Sequence, residues 1–336
     1  MTYPPDLEWD AFVRAHAAGS FFHLSAWKEI METVFGHRVF NLSVRRDGAL
    51  VAVLPLVELR SRLFGHALIG NAFCAGGGPL ATDQPALRQV IAEAEALGRE
   101  LEVDYIELRD TPEAGADWIA QGELYANFDR PVAADEEACL REIPKRQRAV
   151  IRKALDRGLA ITLDRTADDF YPLYARTMRD HGTPALPRRY FEHLLKTFAG
   201  DCEVLTVRQD GRPIGSVVSY FYKGRVMPYY TGSHPDARKV GSNDALYWAL
   251  MRRAVSRQHL IFDFGRSKVG TGPYAFKRNW GFEPRPIVHQ YRLLKATALP
   301  NLNPTNAKYA HLIQLWRQLP LPIATGISPL LSRNLG

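Results

Sequence analysis

The densest chemistry in the sequence lies in "FDFGRSKVGTGPYAFKRNWGFEP", Phe262–Pro284. Lys277 stands beside Phe276, Trp280 and Phe282, where a cation on an apolar background can hold a phosphate or a developing oxyanion. Its plain alternative is a lysine on a helix surface. Arg266 and Ser267 offer a guanidinium fork next to a hydroxyl, a pairing suited to a phosphate or carboxylate. Asp263 can serve as a base, or can orient a neighbouring arginine. Upstream, "ARKVGSN" puts Arg238 and Lys239 ahead of Gly241, Ser242 and Asn243, where a helix begins. The first amides of a helix have no intrahelical partner and the helix dipole favours negative charge, so this is an anion site. A turn glycine and an N-capping asparagine are the structural alternative. Tyr229 and Tyr230 alternate faces on the preceding strand. One belongs to the core, and the other can protonate a leaving group or line an acceptor groove.

The elements that must position these residues follow from the pattern around them. The strand from Arg225 is interrupted by Pro228, which cannot donate to a ladder, so a bulge or an edge is expected there. The helix after Asn243 carries Leu246, Ala249, Leu250 and Ala254 on one stripe and Trp248, Met251 and Val255 on the next, the mark of a well-buried helix. The order hairpin, helix, strand occurs twice. "VRRDGALVAVLPLVEL" (Val44–Leu59) answers to "VRQDGRPIGSVVSYFY" (Val207–Tyr222), each with an Asp-Gly turn, and Ala86–Asp110 answers to Ala245–Ser267. A duplicated domain is the reading. Between the copies, Pro144 and Gly158 bound a helix bearing Lys145, Arg146, Arg148, Arg152, Lys153 and Arg157. It is either a solvated face or a phosphate-facing surface. The first copy lacks a counterpart of Lys277, and Gly76-Gly77-Gly78 is either a phosphate-binding segment or, the preferred reading, a permissive turn. The expected divisions are a degenerate first domain (1–135), the basic inter-domain helix (136–160), a second domain (161–298) and a tail (299–336).

In the tail, Tyr309, Leu312, Ile313 and Trp316 follow helical spacing between Asn303-Pro304 and Pro320, so a short amphipathic helix is expected. Its stripe must be covered by its own second domain, another protomer or a membrane surface. With only Lys308 and Arg317 as full cations on the polar face, docking on protein is the expectation.

Composition limits the classes. The 336 residues suffice for two domains, and 46% apolar with 24% charged residues describes an ordinary globular chain. Lys and Arg outnumber Asp and Glu by 43 to 36, an excess that suits an anionic ligand more than a dedicated nucleic-acid binder. Cys74, Cys139 and Cys202 match no disulfide framework and no zinc spacing, and His181 and His234 have no ligand set beside them, so no metal is expected. With no basic n-region before an apolar run and no apolar stretch of membrane-spanning length, a cytoplasmic protein is expected, with the tail as its one route to peripheral contact with the inner membrane.

The order of elements resembles the GNAT acyltransferase superfamily, in which a bulged strand precedes a [Q/R]-x-x-G-x-[G/A] loop. Arg238 and Gly241 fall on that pattern, with Asn243 at its last position. Asp263, Phe264, Gly265, Tyr274, Phe276, Lys277, Trp280 and Gly281 resemble the signature of the Fem-type aminoacyltransferases and the BioF2-like acetyltransferase domain. The sequence from Leu302 is similar to the tail of FemAB-like proteins associated with the PEP-CTERM and exosortase (XrtA) system. The resemblance implies an α/β fold of two tandem GNAT-like domains plus an amphipathic tail, and an N-acyltransferase acting on an amine. Its acceptor would be a small-molecule or lipid-linked precursor of peptidoglycan, exopolysaccharide or another envelope component. The donor would be acyl coenzyme A or aminoacyl-tRNA, used as a co-substrate with no tightly bound cofactor. Arg238, Gly241, Ser242 and Asn243 would bind the donor, Lys277, Tyr229 and Asp263 would act in catalysis, and Arg266, Ser267 and Tyr230 would bind the acceptor. A rival reading is a non-catalytic binding protein of the same export system.

Overall fold

The structure, a computed structural model, describes residues 6–61, 65–111, 113–299 and 307–334, with the backbone alone for 307–310. The chain divides into two compact units, one made of Met1–Tyr125, Pro286–Asn306 and Arg333–Gly336, the other of Ala126–Arg285 and Ala307–Ser332. In the first, β1 (Arg38–Arg46) and β2 (Ala49–Ser61) form a hairpin and β3 (Gly65–Gly70) pairs with β2. Helix α1 (Gln84–Glu100) then leads into β4 (Tyr105–Leu108), parallel to β3. The second unit opens with β5 (Asp129–Pro131), α2 (Lys145–Leu155), β6 (Ala160–Asp164), α3 (Phe170–His181) and α4 (Arg188–Thr197). It then repeats the plan of the first. β7 (Cys202–Gln209) and β8 (Arg212–Tyr222) form the hairpin, β9 (Arg225–Ser233) pairs with β8, and α5 (Ser242–Ser256) leads into β10 (Ile261–Asp263), parallel to β9.

The repetition extends to backbone detail. Asp47-Gly48 and Asp210-Gly211 both have two consecutive positive φ angles, 51° and 81° in one turn and 50° and 76° in the other. This is the geometry a two-residue hairpin requires. Each hairpin also shifts register at the equivalent step, Val44/Arg45 and Val207/Arg208. A shared turn and a shared bulge carry the duplication further than the few identities do.

Each sheet is completed from elsewhere in the sequence. His289–Leu293 pairs antiparallel with β4, and β5 pairs antiparallel with β10, so the second sheet runs β5-β10-β9-β8-β7-β6. The compact units are therefore not continuous stretches: the first regains Pro286–Asn306, and the second begins at Ala126. The basic helix starts directly after Pro144, is preceded by a separate helix, Glu136–Glu142, and is followed by Gly158 at φ 66°. The core of the second unit is aromatic. Phe128, Phe262, Trp280 and Phe282 are almost wholly buried with Leu246 and Leu250 of α5, each ring removing a large apolar area from water.

The tail forms two helices, α7 (Ala307–Gln318) and α8 (Leu321–Ser332), and both pack on α3. The expected stripe divides. Ile313 and Trp316 are half-buried, with Ile313 against Gly182, while Leu312 is exposed. The Tyr309 side chain lies outside the described residues. Hydrogen bonds hold the pair in place: Arg179 Nη1 donates to Leu319 O (2.9 Å), and Ala185 N donates to Ser328 Oγ (3.1 Å).

Gly232 marks where β9 meets α3. A Cβ there would lie 2.3 Å from Tyr174 N and 2.6 Å from Leu173 C, both backbone atoms. Gly232→Ala should therefore cost about 1–3 kcal/mol or more, read as a lower urea midpoint. Gly200→Ala, with nothing within 4 Å of the added carbon, should stay near wild type.

Candidate functional site: a split between two parallel strands

The expected interruption at Pro228 is a bulge. Val218 pairs with Tyr230 and Ser219 with Pro228, which leaves Tyr229 as the extra residue on β9. β9 and β10 pair only at Arg225/Ile261 and Val226/Phe262. Beyond that point the two strands part, because a proline and a bulge cannot continue a parallel ladder. Gly265, at φ 70°, turns the chain away, and its amide donates to Asp263 Oδ1 (2.9 Å).

Lys277, from helix α6 (Gly272–Asn279), closes this turn. Its Nζ donates to Gly265 O (2.8 Å) and Arg266 O (3.0 Å) and lies 5.5 Å from the Phe128 ring centroid. Sequence pattern suggests a mobile cation, but the side chain is buried and two of its donors hold backbone carbonyls. Burial lowers its pKa to about 7, with Asp263 opposing the shift and Arg266 adding to it. Proton exchange near neutrality is therefore within its reach.

Asp263 takes the orienting role. Its Oδ2 pairs with Arg225 Nη1 (3.0 Å), its Oδ1 accepts from Asn127 Nδ2 (3.0 Å), and Arg225 also meets Asp129 Oδ2 (2.8 Å). Burial raises the Asp263 pKa, and Arg225 pulls it back. A carboxylate so fully engaged is a poor free base. Asn127, Asp129 and Arg225 are not among the site residues that the sequence suggests. The β5/β10 pairing that assembles them joins residues far apart in the chain, and no local signal marks it.

The two tyrosines differ. The Tyr230 ring packs edge-on to Tyr190, Phe191 and Tyr174, and its hydroxyl lies 2.9 Å from that of Tyr190. Tyr229, on the bulge, is half-buried and tilted on Tyr220 with ring centroids 4.9 Å apart. Arg266 is exposed while Ser267 is buried, so the structure does not present them as one exposed fork and hydroxyl.

The segment 238–243 makes a turn into the start of α5. Arg238 lies in the short helix Ala237–Val240, Gly241 is left-handed at φ 70°, and α5 begins at Ser242. Glycine is needed at 241 for that conformation. It also lets α2 approach, since a Cβ there would lie 2.9 Å from Ala154 Cβ. Lys239 is paired with Asp236 (2.8 Å), whereas Arg238 is exposed. Asn243 Oδ1 accepts from Ser233 Oγ (3.0 Å), which ties the loop to the end of β9. Ser242 Oγ is buried without a hydrogen-bond partner among the described residues. Asp244 accepts from Trp280 Nε1 (3.3 Å) and from Gln147 of α2, linking the start of α5, the basic helix and the turn that follows the helix of Lys277. Among the described residues Lys145, Arg146, Arg148, Arg152 and Lys153 have no carboxylate partner, and no cluster of His, Cys, Asp and Glu could hold a metal.

The fold is that of two tandem GNAT-like domains. Residues 144–278 match the Acetyltransferase (GNAT) domain family, the part of the chain containing Tyr229, the 238–243 loop and Lys277. Several solved structures share the fold. The chain is 17% identical to FemX at a TM-score of 0.68, covering 86% of this chain and 96% of that one. It is 13% identical, at TM-score 0.57, to the C-terminal domain of a putative lysylphosphatidylglycerol synthetase from Agrobacterium fabrum, covering 85% and 90%. A tandem GNAT protein from the clavulanic acid biosynthesis pathway gives 14% and 0.51, covering 84% and 91%. No curated protein matches the sequence.

The Lys277 setting makes a signed prediction. Its folded pKa is about 7 against an ordinary 10.5, so between those values the unfolded chain holds a proton that the folded chain has released. Stability contributed by this site therefore rises with pH across that window. Denaturation of wild type should show the gain between pH 7 and 10, and Lys277→Met should lack it.

Proposed function

We propose that the chain is an N-acyltransferase that moves an acyl or aminoacyl group from a phosphate-bearing donor to an amine. The observation that carries this reading is the split between β9 and β10, which opens beside the N-terminus of α5 with Lys277 at its closed end. The bulged stretch of β9 suits an extended donor arm, and the first amides of α5, from Ser242 on, suit its phosphates together with Arg238. The amine attacks the donor carbonyl, whose oxygen takes up the negative charge of the tetrahedral intermediate at the bulge of β9. Collapse of the tetrahedral intermediate breaks the bond to the leaving group, which Tyr229 protonates, while the amine's surplus proton leaves to solvent or to neutral Lys277. Asp263 and Arg225 hold the wall of the split in place. Arg266 and Tyr230 are assigned to the acceptor side.

Acyl coenzyme A is the preferred donor, supported by the GNAT domain match and the 238–243 loop. Aminoacyl-tRNA is the second reading, favoured by the unpaired cations of α2, a helix packed directly on α5. The acceptor class, a peptidoglycan or exopolysaccharide precursor, rests on the Fem-like signature and the tail, as does any tie to a PEP-CTERM protein-sorting system. No described helix is long and apolar enough to cross a membrane.

Arg238→Glu changes an exposed side chain and should leave the melting temperature unchanged. Coenzyme A affinity by calorimetry should fall at least about tenfold, equivalent to about 1.4 kcal/mol. Tyr229→Phe should lower turnover by about 10²–10⁴ with donor binding retained. Tight donor binding in a wild type without turnover on any amine would favour the non-catalytic reading.

A further inference from the structure

We propose that α8, with the adjoining exposed edge of α7, is a docking surface for an anionic lipid bilayer. Helix α8 is inside out by the standards of a soluble protein. Its buried side is made of small residues, Ala324, Ser328 and Ser332, at every fourth position. Its large aliphatic residues, Ile323, Ile327, Leu330 and Leu331, face solvent, and Leu312 and Leu315 of α7 do the same. Helices on globular proteins ordinarily turn the large apolar side chains inward. The orientation here is fixed, because Ser328 Oγ accepts from Ala185 N (3.1 Å) and donates to Ala324 O (2.6 Å).

Charge selects the occupant. Gln318 to Ser332 carries no charged residue, and the last acidic residue of the whole sequence is Glu283. Every charged residue beyond it is a cation, including Lys308 and Arg317 in α7 and Arg333 directly after α8. Two cations on α7 alone are sparse, but an acid-free tail bearing a wide aliphatic face is complementary to an anionic membrane. A protein partner fits less well, since such interfaces centre on Trp, Tyr and Arg with directed hydrogen bonds. The exposed stripe holds only Leu and Ile. This inference rests on the tail and is independent of the acyl-transfer reading.

The test is co-sedimentation of the full chain with vesicles of phosphatidylcholine alone and of phosphatidylcholine containing one quarter phosphatidylglycerol. The variant is Leu312→Glu/Leu315→Glu/Leu330→Glu, at positions 62%, 61% and 68% exposed, where folding does not depend on the side chain. Wild type should bind the anionic vesicles, bind neutral ones more weakly, and lose at least about tenfold in anionic binding in the triple variant. Failure of wild type to sediment with anionic vesicles would overturn the proposal, as would equal binding by the variant. Sedimentation velocity without lipid supplies the remaining arm. A monomeric wild type supports the bilayer, whereas a dimer that the triple variant dissociates shows that a second copy covers the face.

Discussion

The site depends on one break in one ladder. Where β9 reaches Pro228, the missing N–H and the extra residue Tyr229 end its pairing with β10 after two positions. Every other feature serves that break. On the proposed reading, the donor lies where that ladder stops. The ladder of β9 with β8 carries the bulge between Val218 and Ser219 and resumes on both sides of it. Asn243 then ties the far end of β9 to the start of α5 through Ser233.

A split sheet needs walls that do not collapse, and buried charge supplies them. Arg225 sits between Asp129 and Asp263, which face each other across β5 and β10. A cation shared by two carboxylates relieves the burial of all three groups and fixes where β10 ends. Lys277 does the same for the turn that follows, at the expense of its own pKa. The Gln147–Asp244–Trp280 contacts extend this order to α2 and α6. The interior of the second unit is thus polar where the strands part and aromatic beneath.

Much of this was legible in the residues. Pro228 implied the bulge, Asp-Gly pairs implied both hairpins, and Gly241 implied the turn into α5, because each is a local constraint on φ or on a hydrogen bond. Sequence could not show that Lys277 is buried, since its position beside Phe276 and Trp280 fits either a surface or a core helix face. Nor could it give the Asp129–Arg225–Asp263 contact, which depends on β5 crossing to β10. In the tail, spacing announced a helix at Trp316. It could not say that Leu312 would face out, because the three-residue and four-residue neighbours of one stripe can be divided by the curvature of the surface they meet.

The central claim is that the donor lies along the split of β9 and across the start of α5. Hydrogen–deuterium exchange tests it directly, with coenzyme A in one sample and aminoacyl-tRNA in another. The account predicts that whichever donor binds will protect the backbone of Met227–Thr231 and Gly241–Ala245 together. A bound donor that leaves both segments exchanging at their free rates would contradict it.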